Sequence, residues 1–96
     1  MATFISLTNF TEQGIRKVKD SPARAHAFTE MAKKLGVTVK AIYWTVGAYD
    51  MVVIAEGTDE AVTTALLTVG AAGNVRTLTL RAFDEDGMRK IVSRMP

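Results

Sequence analysis

Tyr43-Trp44-Thr45-Val46-Gly47-Ala48-Tyr49-Asp50-Met51-Val52-Val53-Ile54 is the stretch on which the fold turns. Two runs rich in β-branched and aromatic residues flank a Gly-Ala pair. Such runs favour the pleated strand, and glycine first in a two-residue loop takes the positive φ of a type II′ turn. The stretch is expected to form a β-hairpin, with one strand over Val37 to Val46 and the next over Asp50 to Glu56. With Gly47-Ala48 as the loop, Thr45 faces Asp50, Trp44 faces Met51, Tyr43 faces Val52 and Ile42 faces Val53.

Working outward, Thr3 to Phe10 alternates apolar and polar residues and reads as the first strand. Thr11 to Asp20 is polar, with Gly14 inside, and fits a loop or a short helical turn. Ser21-Pro22 signals a helix start, with Ser21 as N-cap and Pro22 in the first turn. That helix runs from Pro22 to Leu35 with Ala27, Phe28, Met31 and Leu35 as its apolar stripe, and Gly36 closes it in a left-handed conformation. After the hairpin, Thr58 caps a second helix from Asp59 to about Val69, with Val62, Ala65, Leu66 and Val69 inward. Val75 to Phe83 alternates again and is the last strand. Asp84 caps a final helix, Glu85 to Arg94, with Met88, Ile91, Val92 and Met95 on one side.

The order βαββαβ plus a C-terminal helix implies an α+β, ferredoxin-like sandwich. Right-handed crossovers then give a four-stranded antiparallel sheet of order 4-1-3-2, with two helices on one face. Residues 1–83 make the domain and 84–96 a helical extension of it. Trp44, Ile42, Met51 and Val53 are expected to share the helix-covered face with Ile5, Leu7, Leu78 and Leu80. The opposite face then collects Ser6, Thr8, Ala41, Tyr43, Thr45, Asp50, Val52, Ile54, Thr77, Thr79 and Arg81. A bulge in the hairpin would exchange the two sets on one strand. Tyr43, Val52 and Ile54 are costly to leave in water, so a second copy, or the C-terminal helix, is expected to cover this face.

Composition narrows the function classes. Ninety-six residues, 48% hydrophobic and 23% charged, suit one small domain that gains from self-association. A net charge of +2 is too small to argue for nucleic acid, and the cluster Arg16, Lys17, Lys19, Lys33 and Lys34 reads as a solvated face. No cysteine is present, which excludes disulfides, thiolate metal sites and thiol nucleophiles. The start lacks a basic stretch before an apolar core, and no run approaches the ~20 apolar residues of a membrane span. A cytoplasmic protein is expected, without membrane contact.

Thr11-Glu12-Gln13-Gly14-Ile15, Lys19-Asp20-Ser21-Pro22 with Arg24, the hairpin from Tyr43 to Asp50, Gly73-Asn74-Val75-Arg76-Thr77 and Leu80-Arg81-Ala82-Phe83 together resemble the GYD domain family of small bacterial proteins. The resemblance covers most of residues 3 to 83 and assigns no biochemical role. The Gly-x-Tyr-Asp hairpin is also similar to that of the dimeric α+β barrel group and of Lrp/AsnC-type regulators. There a comparable turn lies beside a small-molecule site at a subunit interface, an analogy of fold only.

Asp50 is the most pointed candidate. A partly buried carboxylate there would act as a general base or hold an amine. Alternatively it accepts hydrogen bonds from Thr45 or the turn amides and fixes the hairpin. Tyr43 and Tyr49 either aim hydroxyls into a cavity or pack at an interface. Arg81 either binds an anion or pairs with Asp50, and Arg76 reads as solvated on the other face. Trp44 is assigned to the core, with an indole N–H that needs a partner. His26, the single histidine, reads as a surface residue, and no spacing supports a metal site or a nucleophile–histidine pair. No cofactor is implied. RNA is set aside because Asp50 to Glu56 lacks the stacking aromatics of an RNA-recognition strand. Three readings follow. The first is a homo-oligomer binding a small metabolite at the open sheet face or subunit seam, through Tyr43, Thr45, Tyr49, Asp50 and Arg81. The second is a cofactor-independent isomerase or monooxygenase with Asp50 as base, and the third a structural self-associating module.

Overall fold

The computed structural model describes residues 1–96. Its elements are β1 (Ala2–Phe10), α1 (Glu12–Arg16), a 3-10 turn (Val18–Asp20), α2 (Ser21–Lys34), β2 (Thr38–Trp44), β3 (Met51–Gly57), α3 (Asp59–Ala71), β4 (Val75–Ala82) and α4 (Glu85–Val92). The strands form one antiparallel sheet in the order β2-β3-β1-β4, the expected ferredoxin-like α+β arrangement. Helices α2 and α3 pack on each other and on the sheet. No helix is long and apolar enough to cross a membrane.

Local chemistry explains most boundaries. Thr58 accepts the Ala61 amide at 3.1 Å and Asp84 accepts the Gly87 amide at 2.7 Å, so both cap as expected. Gly36, at φ 85°, closes α2 after Leu35. Ser21 differs from expectation. It is the first residue of α2 rather than its cap, and its hydroxyl instead accepts the Trp44 indole N–H at 3.1 Å. That contact is the partner the indole N–H needed and ties α2 to the edge strand β2, but Trp44 itself is exposed at this edge and not in the core.

The hairpin keeps its predicted register but not its predicted turn. Trp44 faces Met51, Tyr43 faces Val52 and Ile42 faces Val53. The ladder ends there, and Thr45 to Asp50 form a wider loop. Gly47 has φ 138°, far from the roughly +60° of a type II′ turn. Thr45 closes the loop instead, with its amide on the Asp50 carbonyl at 2.8 Å and its hydroxyl on the Tyr49 carbonyl at 2.6 Å. The bulge lies at the other end of β2, at Lys40 between Val39 and Ala41, and leaves the Tyr43 row untouched.

One expectation about faces is overturned. Ser6 stands between Val53 and Thr79 in the ladder, and Thr8 between Met51 and Thr77. The helix-covered face therefore takes Ser6, Thr8, Thr77 and Thr79 together with Met51, Val53 and Ala55. Ile5, Leu7, Leu78 and Leu80 point to the open face. Alternation separates two sets but does not say which one meets the helices; the backbone alignment of β1 on β3 decides it.

The core that results is built from small side chains. Ala32, Val37, Ala55, Val62 and Ala65 are its buried centre, with Phe4, Phe28, Met31, Val39 and Leu66 partly buried around it. No large side chain is fully buried. On α2 the inward positions are Ser21, Ala25 and Ala32, flanked by Phe28 and Met31, whereas Ala27 and Leu35 of the expected stripe are exposed. α3 follows expectation, with Val62 and Ala65 buried and Leu66 and Val69 half-buried.

The sequence blocks at Thr11 and Gly73 meet at one end of the sheet. The Thr11 amide and hydroxyl bond Asn74 O at 3.0 Å and Gly73 O at 2.6 Å, and Gln13 Nε2 reaches Ala72 O and Asn74 Oδ1. A Cβ on Gly14 would lie 1.9 Å from Asn74 O, so only glycine permits this approach. Arg24 adds bonds to Lys17 O at 2.9 Å and Gly14 O at 3.3 Å. Backbone atoms cannot yield as a side chain does, so Gly14→Ala should destabilise the protein by about 2 kcal/mol or more. Thermal unfolding at fixed protein concentration should show a fall in Tm of roughly 10 °C.

Candidate functional site

Two features of the sheet stand out, one on each face. The open face carries two apolar rows across all four strands. Tyr43, Val52, Leu7 and Leu78 form one; Ala41, Ile54, Ile5 and Leu80 form the other. Tyr43 is 60% exposed, Leu78 51% and Leu80 47%, and no charge interrupts the eight. Nothing within the chain covers them. α4 does not do so, since none of its residues is buried and Met88, Ile91, Val92 and Met95 are themselves exposed.

The covered face holds a cavity of about 360 Å³ between α2, α3 and the sheet. Phe4, Phe10, Phe28, Ile42, Met51 and Leu66 are among its apolar walls. Its floor is the hydroxyl row of β1 and β4: Ser6, Thr8, Thr77 and Thr79. Sequence reasoning places these four on the outer face and misses their role. The signal is present in the matched Ser/Thr alternation of TFISLTNF and VRTLTLRAF, but hydropathy alone favours the aliphatic set of each strand as the inward one.

The five residues expected to form a site divide between structural duties and the open face. Asp50 Oδ2 accepts the Phe10 amide at 2.9 Å, and the Asp50 amide donates to Thr8 O at 2.9 Å. With the Thr45 bond to its carbonyl, Asp50 thus joins β1 to the hairpin loop; its carboxylate has a structural partner, but on β1 rather than on Thr45 or the turn amides. Thr45 is spent closing the loop. Tyr49 is half-buried and lines a shallow depression of about 300 Å³ with Leu7, Asn9, Arg76, Thr77 and Leu78, near Tyr43 on the same face.

Arg81 lies elsewhere. It faces Phe4 in the ladder, on the helix side of the sheet, and Arg76 takes the open face in its stead. The Arg81 guanidinium stands 4.4 Å from the Phe83 ring centroid and 5.6 Å from that of Phe4, and bonds Thr3 O at 3.2 Å and also Ala82 O. Six residues of β1, about 20 Å, separate Phe4 from the Phe10 beside Asp50. The pair considered from sequence therefore does not form. His26 is exposed and faces Glu30 at 3.9 Å within α2. No three His, Asp or Glu side chains gather in a metal-binding arrangement.

Comparison with known proteins follows the same lines. The sequence profile described as GYD domain matches residues 4–92, and so runs through α4, beyond the Phe83 at which the resemblance in sequence ends. A protein of Thermus thermophilus named glutamine synthetase and cystathionine beta-lyase binding protein is 37% identical over 85 residues, spanning 86% of this chain and 90% of that one. The crystal structure of TTHA0845 from the same organism superposes with a TM-score of 0.51 at 27% identity, over 88% of this chain and 95% of that chain.

A bonded carboxylate at this position is worth about 1–3 kcal/mol. Asp50→Ala should lower stability by that amount, read as a fall in Tm. Asp50→Asn, whose carboxamide oxygen still accepts, should recover most of it.

Proposed function

Because the chain belongs to the GYD domain family, whose Thermus relative carries the name of a binding protein, we propose that it is a non-catalytic binding protein that works as a homodimer closed through its open sheet face. The observation that carries this is the pair of uncovered rows from Tyr43 to Leu78 and from Ala41 to Leu80. Two rows across four strands, about four residues along each strand, span roughly 250 Å² in projection, before side-chain relief is counted. A contiguous uncharged patch of this kind suits the apolar centre of an interaction surface, with the residues around it supplying the rest of the seam. A second copy is the partner best matched. A flat face without charge needs no opposite sign across it and complements itself about a two-fold axis.

This reading disfavours the isomerase or monooxygenase. Its base, Asp50, is bonded to the Phe10 amide, and of the two residues that would steady an oxyanion, Tyr43 or Arg81, the arginine sits on the other face beside two phenyl rings. It also moves the small molecule. If a second copy fills the open face, the space left for a metabolite is the cavity beneath the helices.

Sedimentation velocity at micromolar concentration should give a dimer, twice the 10.4 kDa of one chain. Leu80→Glu places an unpaired charge in the seam and should yield monomer. A monodisperse wild-type monomer would overturn the proposal.

The name of the Thermus relative supports a second reading, in which enzymes are further partners and the exposed apolar stripe of α4 meets them. Biolayer interferometry of the full chain against purified glutamine synthetase and cystathionine beta-lyase from its own source should then give saturable binding. Met88→Glu with Ile91→Glu should abolish that binding while the dimer persists.

A further inference from the structure

The sheet is inverted in β1 and β4. Their aliphatic residues face outward and their hydroxyls face the helices, where a two-layer sandwich ordinarily buries hydrocarbon. The outward set is the surface that the proposed second copy would cover. The inward set needs a different partner, because hydroxyl groups under an apolar helix layer gain nothing from it and lose water.

Thr79 Oγ1 donates to Ser6 Oγ at 3.1 Å, the one side-chain hydrogen bond among the four floor residues. No buried polar side-chain atom lacks a partner, and Ser6, Thr8, Thr77 and Thr79 all line the cavity. Thr8 is only 4% exposed and Ser6 6%, whereas Thr79 is half-buried and Thr77 exposed, so the floor is dry at Ser6 and Thr8 and reaches solvent at Thr77. The volume, about 360 Å³, falls in the range of small-molecule sites.

The lining also defines the ligand's charge. It contains no Asp, Glu, His or Lys, and its single cation, Arg24, is turned to the carbonyls of Lys17 and Gly14. A charged ligand would be buried there without a counter-ion. Phe4, Phe10 and Phe28 all line it, and aromatic walls suit a flat ring system. Threonine hydroxyls both donate and accept, which suits a hydroxyl or a carbonyl.

The geometry points to a ligand site in this cavity for an uncharged, mostly apolar ring compound that sets one hydroxyl or carbonyl oxygen against Thr8 and Thr77. The inference rests on the reading of the chain as a binding protein, but not on its being a dimer.

Three probes of one ring system test it: 1-naphthol, naphthalene and naphthalene-1-sulfonate, titrated calorimetrically into the full-length protein. The expected order is 1-naphthol ahead of naphthalene by about tenfold in Kd, the worth of one or two hydrogen bonds, with the sulfonate weaker than both. Thr8→Val with Thr77→Val keeps shape and removes the hydroxyls. It should bring naphthol to within about twofold of naphthalene while naphthalene binding stays. Methyl resonances of Ala25, Val62 and Ala65 should shift on titration, and those of Leu78 and Leu80 should not.

Equal binding of naphthol and naphthalene by the wild type would overturn the inference. So would preference for the sulfonate, shifts confined to Leu78 and Leu80, or no saturable binding. Sedimentation of the same samples reports association separately. A dimer without naphthol binding sinks the cavity site alone; a monomer that binds naphthol sinks only the dimer.

Discussion

Ser6 stands opposite Val53 on one side and Thr79 on the other, and from this alignment the rest of the molecule follows. Strand side chains alternate, so one matched pair commits every residue of β1 and β4 to a face. Had β1 docked one residue out of phase, Ile5, Leu7, Leu78 and Leu80 would fill the space under α2 and α3. The chain would then have an ordinary core and a polar outer face. As it is, hydrocarbon lies outside and hydroxyls inside, and the centre is left to alanines and valines.

The alignment is held from one end. Asp50 bonds both the Phe10 amide and the Thr8 carbonyl, so the hairpin loop grips β1 at its last residues. Thr11 and Gly14 then lock the chain beyond β1 onto Gly73 and Asn74, just before β4 begins. β1 is thereby clamped to both neighbours within a few residues, and a slip of register would break several of these bonds together. The blocks that identify the family are spent on this clamp, which explains why motif residues such as Asp50 and Thr45 carry hydrogen bonds of the backbone.

The fold was legible because its signals are local. Thr58 and Asp84 announce helix starts through their caps, Gly36 announces a stop, and the runs around Gly47 pair as written. The type of hairpin turn was not legible, because Thr45 has a side-chain route to the Tyr49 carbonyl that outweighs the preference of a Gly-Ala pair. The faces were not legible for a deeper reason. TFISLTNF pairs equally well either way up, and what selects the orientation is contact between strands far apart in sequence. With the orientation went the site: Arg81 and Arg76 exchanged sides, and Ser6, Thr8, Thr77 and Thr79 moved from an outer face to the floor of a cavity.

The bulge at Lys40 bears on the borders of the sheet. Strands β2 and β4 are the free borders of the sheet. At Lys40 the pairing of β2 is interrupted, and the lysine reaches back toward Glu56 at 3.9 Å. On β4, arginines stand at 76 and 81, near either end. Charged residues and bulges on a border obstruct the strand-by-strand addition that builds fibrils. A sheet with an oily face and guarded borders is thus steered away from growing sideways. In the proposed face-to-face dimer the two sheets would use up their oily surface in one step, and the assembly would close instead of propagating.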